Sequence, residues 1–250
     1  MPSADPGPSR GRKGDLTRAA ILDAALAICG RDGLEGLTIG ALAERLGMSK
    51  SGVFAHFGSR EDLQLAVLRE YALRFVDLVL RPAVQSPRGL PRLEAIVERW
   101  LALLAEEIES GCLLIGGASE YDDRPGPLRD TLAGIVSAWK AELVHALEQA
   151  QACGHLRADL DCHQIVFEIY GLMLMLHQDA RLLRGKDSLR RARAGLERLI
   201  AGARAVPGPG ARGVAHSPET GEGQAAPRRA GARRGSIASG KSGTRNTSRH

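Results

Sequence analysis

The stretch LTIGALAERLGMSKSGVFAHFGSREDL, Leu37 to Leu63, decides the reading of the whole chain. Its punctuation is regular. Thr38 precedes an apolar-periodic run that Gly47 closes, Ser49 opens a second run ending near His56, and Ser59, with Asp62 three residues on, opens a third. Gly47 accepts the backbone angles of a sharp reversal. Ala43, one turn earlier, lets the following helix cross closely, with Leu42, Leu46, Met48 and Val53 forming the wedge of core between the two. This is helix-turn-helix spacing.

In that arrangement the first turn of the second helix faces outward, and its residues carry groove-reading chemistry. Lys50 can donate to guanine O6 and N7, Ser51 can donate or accept, and Gly52 permits close backbone approach, so these three are the candidate base contacts. Thr38, Ser49, Phe54, His56 and Arg60 surround them as candidate phosphate contacts, several at helix N-termini whose partial positive charge favours anions. Such contacts position a protein without specifying sequence.

Thr38, Leu42, Ala43, Gly47, Met48, Ser49, Phe54, His56, Phe57, Ser59, Arg60, Glu61 and Leu63 fill nearly every slot of one pattern. On them the segment resembles the tetracycline-repressor (TetR) family of transcriptional regulators. Two positions depart from the family pattern. Phe54 stands where many members place a tyrosine whose hydroxyl reaches a phosphate, and Arg60 replaces the commoner lysine, keeping the charge and adding donors. The motif covers residues 15 to 64, and helix number and order extend the resemblance to 204. It implies a larger helical domain behind the head that dimerises and binds a small-molecule effector.

The rest of the 250-residue chain is consistent with an all-α fold of about nine helices. Only 4% of residues are aromatic and strand-like alternation is scarce, while Ala, Leu, Glu and Arg dominate the periodic regions. The first helix is expected from Thr17, stopped by Gly30 and Gly33. The helix after Ser59 runs long, to Pro82, as a bridge between two cores. Further periodic segments lie at 93 to 110, 128 to 152, 161 to 183 and 188 to 204, with the stretch GCLLIGGASEYDDRPGP, 111 to 127, between the first two of them. The expected organisation is a flexible basic arm at 1–14, a DNA-binding head at 15–60, an effector-binding and dimerising body at 61–204, and a disordered basic tail at 205–250.

The formal net charge of +5 misleads unless it is located. Residues 205–250 hold eight Arg or Lys against Glu219 and Glu222, so the excess belongs to the tail and a nucleic-acid reading must rest on local residues. Arg10, Arg12 and Lys13 are placed to act as a minor-groove arm. Four cysteines and no apolar leader point to free thiols in a cytoplasmic protein, and no apolar run is long enough for a membrane span.

The resemblance leaves the effector undefined. Trp100, Cys112, Tyr121, Trp139 and His177 are the candidate lining of its pocket. The acidic group Glu120, Asp122 and Asp123 reads as loop chemistry rather than a catalytic pair, and Cys153, His155, Cys162 and His163 match no standard zinc spacing. No catalytic residue, cofactor or metal is expected. The sequence reading is therefore a repressor, not an enzyme, that binds a pseudo-palindromic operator in double-stranded DNA as a homodimer through 161–183 and 188–204 and is released by an effector. The alternatives are a sequence-independent architectural DNA binder and, behind it, a helical enzyme.

Overall fold

The computed structural model describes residues 10–205. Among them are nine helices. The first three are α1 (Arg10–Gly36), α2 (Ile39–Leu46) and α3 (Lys50–Phe57). Helix α4 (Arg60–Phe75) continues through a π-helical turn (Val76–Leu80) into a last helical turn (Arg81–Ala83). Then come α5 (Leu90–Ser110), α6 (Leu113–Tyr121), α7 (Pro127–Ala152), α8 (Cys162–Arg181) and α9 (Ser188–Ala203). The all-α expectation holds.

Local chemistry explains most boundaries. Thr38 Oγ accepts from Ala41 N, Ser49 Oγ from Gly52 N, and Ser59 Oγ from Asp62 N, each satisfying a donor that its helix start leaves open. Gly47 ends α2 in the left-handed region at φ 63°, with Gly47 N–H donating to Glu44 O and Met48 N–H to Ala43 O, the double closure of a Schellman motif. Asp161 caps α8 as expected, its carboxylate accepting from His163 N and Gln164 N.

Three expectations need correction. Helix α1 begins at Arg10 rather than Thr17, so the arm proposed for 1–14 is partly helical, and Gly30 lies inside the helix rather than ending it. The break falls at Gly33, at φ 76° and ψ 174°. Residues 113–121, to which the sequence reading gives no helix, form α6: Leu113, Leu114, Gly117 and Tyr121 sit on one buried face, and tertiary packing outweighs the two glycines. Finally, the buried side chains from Ile21 to Ala203 form one cluster, not two cores. Helix α1 packs on α6 and α5 of the body as well as on α2 and α4. The expected tail at 205–250 and the side chains of Arg10, Arg12 and Lys13 lie outside the described residues, apart from Ala205.

The body is layered around α5, α7 and α8, which pack on one another, with α4 laid against α7 and α9 against α8. Phe75, Trp100, Trp139 and Tyr170 meet at its centre. The ring centroids of Phe75 and Trp139 are 4.7 Å apart and those of Trp100 and Trp139 5.1 Å, both edge to face. That geometry suits the quadrupoles of aromatic rings.

Candidate nucleic-acid interface

The reversal between α2 and α3 is built from below. Leu42, Ala43 and Val53 are buried, with Leu46 and Met48 packed at the margin, so the outward turn of α3 rests on a fixed wedge. Lys50 and Ser51 are exposed and Gly52 is half-buried. Ser49 Oγ lies 3.1 Å from Ser51 Oγ while it caps Gly52 N, which orients both hydroxyls at the helix start. The stem of Lys50 crosses Gly40. A Cβ placed on that glycine would lie 3.5 Å from Lys50 Cε, 3.8 Å from its Nζ and 3.8 Å from Thr38 Oγ1. The ammonium and the Thr38 hydroxyl therefore converge beside the N-terminus of α2, where donors and the helix dipole favour an anion.

Phe54 stands on the outer face at 51% exposure, an apolar surface available to a thymine methyl or a sugar. His56 is half-buried beside Phe57, with ring centroids 6.4 Å apart, and the Arg18 guanidinium covers the Phe57 ring at 5.1 Å.

Arg60, expected as a phosphate contact, is already engaged within the protein. Its Nε donates to Leu37 O at 2.8 Å, and its Nη2 to Glu35 O at 2.6 Å and Glu35 Oε2 at 2.9 Å. Nε and Nη2 are thus committed to the chain reversal between α1 and α2, on a side chain that remains 41% exposed. Planar guanidinium geometry suits this task better than an ammonium would.

Sequence reasoning missed the junction that this clamp belongs to. Glu120, at the end of α6, accepts from the backbone N–H groups of Leu34 and Glu35, both at 2.9 Å, and so caps the chain just after the Gly33 break. Tyr121 donates its hydroxyl to Glu35 Oε1 at 2.5 Å, and buried Gln64 donates to Leu34 O at 2.6 Å. Glu120 and Tyr121 thus tie the end of α6 to the chain between α1 and α2. Tyr121 lies here and not with the other candidate pocket residues.

The remaining candidates also divide. Trp100 and Trp139 sit in the aromatic centre, where Trp139 Nε1 is buried with no hydrogen-bond partner among the described residues. Cys112 lies 3.3 Å from the Tyr71 hydroxyl, and its backbone N–H donates to His177 Nε2 at 3.5 Å. Burial pushes the Cys112 thiol up to about 12, which makes it a poor nucleophile. A cavity of about 220 Å³ opens beside this group, between α1, α4 and α5, lined by Tyr71, Arg74, Phe75, Leu78, Leu103 and Glu107. The signal for Glu107 was present in the sequence, since it continues the inward stripe Leu93, Val97, Trp100 and Leu104 as a carboxylate in an apolar register. Cys153, His155, Cys162 and His163 do not act together: His155 Nδ1 accepts from Leu90 N, and Cys162 donates to Gln151 Oε1.

Two carboxylates titrate in opposite senses. The Tyr121 hydroxyl, and after it Arg60, hold Glu35 below the usual carboxylate range, so its contribution to stability is present above the unfolded value and is lost as pH falls through the folded one. Burial raises Glu107, whose contribution is full below the unfolded value and fades as pH rises through the folded one. Tyr121→Phe is expected to flatten the acid limb of a stability-against-pH profile. An acid limb as steep as in the parent protein would contradict the role given to that hydroxyl.

An exposed, capped helical turn delivered by a glycine-closed reversal defines a helix-turn-helix DNA-binding protein. Comparison with known proteins agrees. Residues 21–67 match the family described as bacterial regulatory proteins, tetR family, and residues 89–196 match the tetracyclin repressor-like C-terminal domain. The chain is 27% identical over 175 residues to the transcriptional regulator AcuR of Cereibacter sphaeroides, a match covering 64% of this chain and 76% of that protein. It is 39% identical over 81 residues to the HTH-type transcriptional repressor AcnR of Corynebacterium glutamicum, covering 32% of this chain and 43% of that protein. The fold is similar to that of a solved TetR transcriptional regulator from Chloroflexus aurantiacus, with a TM-score of 0.69 and 23% identity over 78% of this chain and 100% of that one. The chain belongs to the TetR family, and it is a DNA-binding transcriptional regulator. The family is one of regulators rather than enzymes. Among the described residues no helix is long and apolar enough to cross a membrane.

Proposed function

We propose that this regulator is a homodimeric repressor that reads a pseudo-palindromic operator and leaves it when a small molecule binds the body. The observation that carries the reading is the exposed first turn of α3, with Lys50 and Ser51 outward and Gly52 open to close approach. Lys50, Ser51 and Gly52 contact bases, and Thr38, Ser49, Phe54 and His56 contact the backbone around them. Residues 15–60 act as the head and 61–204 as the body. Relatives that are themselves repressors favour repression over activation.

Dimerisation is supported by α8. Phe167, Leu174 and Met175, with Leu182 just past the helix end, remain 41 to 70% exposed along one flank of a helix whose other flank is core, and α9 packs beside it. Helices at 161–183 and 188–204 from two chains would cover these stripes as a four-helix interface. Two recognition turns related by a two-fold axis then require half-sites about one DNA turn apart or a small multiple of it. An effector acts by binding better to a body whose head spacing misfits the operator.

Selection of bound duplexes from a random pool tests the reading. It should return an inverted repeat bound about 10³-fold or more tighter than random duplex, and sedimentation at micromolar concentration should give a dimer. Recovery of no preferred sequence would favour the architectural alternative, and a monomer would remove the two-fold argument.

A further inference from the structure

We propose that the cavity between α1, α4 and α5 is the effector site and that it takes a small organic cation, an amine or quaternary ammonium carrying one apolar group, with the Glu107 carboxylate as its counter-ion. This rests on the reading of the protein as an effector-controlled regulator. It adds the chemical class of the effector.

The first observation is an incompletely satisfied acid. Glu107 lines the cavity and receives the Tyr71 hydroxyl at 2.7 Å to Oε1 and 2.9 Å to Oε2. The Tyr71 phenol and the Cys112 thiol are its two side-chain donors, two hydrogens for a pair of carboxylate oxygens that together offer about four lone-pair positions. Among the described residues no Lys, Arg or His pairs with this carboxylate, whose charge is disfavoured by burial. A half-buried carboxylate without a counter-ion carries a desolvation cost, and a bound cation offsets it.

The second observation is the sign of the walls. Arg74 also lines the cavity, but its guanidinium bridges Asp23 and Glu70, the latter at 2.8 Å. Of the two charged residues that line the cavity, Arg74 is neutralised by acids outside the lining, and Glu107 has no ion-pair partner among the described residues. An anion would meet Glu107 directly, with the nearest guanidinium already committed.

Shape and position complete the case. Leu26, Leu78, Leu103 and Leu113 line the apolar part, and the Phe75 and Tyr71 rings can face an alkylammonium group. A volume of about 220 Å³ is below the range of drug-sized sites, so the ligand is small. One wall is Leu26, Ala27 and Gly30 of α1, the helix that also carries the base of the head. Filling the cavity therefore acts on the distance between head and body.

The test uses the full chain and its two tryptophans. Both indoles contact Phe75, at centroid distances of 4.7 and 6.4 Å, so their fluorescence reports on the cavity. The probes are benzyltrimethylammonium, benzyl alcohol and phenylacetate. The cation should give a saturable change at millimolar concentration or below, phenylacetate none, and Glu107→Gln should weaken the cation by about tenfold or more relative to benzyl alcohol. Ala27→Leu, on the accessible rim, should weaken cation and alcohol alike, with thermal unfolding run on both variants to confirm the fold. Equal cation binding by Glu107→Gln, or tighter binding of phenylacetate, would overturn the proposal. Operator binding is measured in parallel. If the cation binds through Glu107 without releasing the selected operator, the effector role fails; if phenylacetate releases it, the regulator reading stands and the cation class fails.

Discussion

Gly111→Ala should lower the free energy of unfolding by about 3 kcal/mol or more. Gly111 follows α5 at φ 92°, a region that side chains with a Cβ rarely occupy. The space is also taken, because a Cβ there would fall 2.1 Å from the carbonyl oxygen of Gly30, in the middle of α1. The obstacle is backbone against backbone, so neither side can rotate away. The crossing is further pinned by Arg181, whose Nη1 donates to Ile108 O at 2.7 Å and Glu109 O at 3.0 Å, carbonyls that the end of α5 leaves open. Urea unfolding supplies the measurement, with Gly116→Ala as the comparison. Gly116 is exposed in α6 with nothing within 4 Å of an added Cβ, and alanine there should gain up to about 1 kcal/mol of helix propensity. Equal midpoints for the two variants would mean that α1 and α5 do not need this close approach.

Lys50→Ala should cost about 10- to 100-fold in affinity for the selected operator, the equivalent of about 1 to 3 kcal/mol of base discrimination. Its effect on random duplex should be much smaller. If instead every sequence weakened equally and the salt dependence lost about one unit of slope, Lys50 would be a backbone contact made beside Thr38. Arg60→Ala should behave otherwise. With its guanidinium holding Leu37 O and Glu35, its loss should lower the unfolding midpoint and leave the salt slope of the folded protein unchanged. A flattened slope at unchanged stability would restore Arg60 to the phosphate contacts.

Arg60 also marks where sequence stops being sufficient. The caps Thr38, Ser49, Ser59 and Asp161 and the reversal at Gly47 act on groups within five residues of themselves, so a linear pattern contains both partners. That is why these caps and the reversal were legible to the residue. The partners of Arg60, Glu120 and Tyr121 lie about 23 to 86 positions away, and nothing in the spacing of a charge shows which carbonyl it will meet. Gly30 failed for a related reason. A glycine that relieves a crossing between distant helices has the same letter as one that ends a helix. Residues 113–121 were hidden by Gly116 and Gly117, whose low propensity is outweighed once Leu113, Leu114 and Tyr121 are buried against α1 and α7.

The wide turn at Val76–Leu80 bears on how the long helix keeps its orientation. Leu63, Val67, Tyr71, Phe75, Val79 and Ala83 recur at every fourth place, and in an unbroken α-helix such a series spirals away by about 40° per step. One turn with more residues per revolution winds the series back. The same flank can thus stay against the bundle from the head as far as Pro82, and loss of a single residue between 76 and 80 would swing Ala83 and the chain beyond it out of alignment.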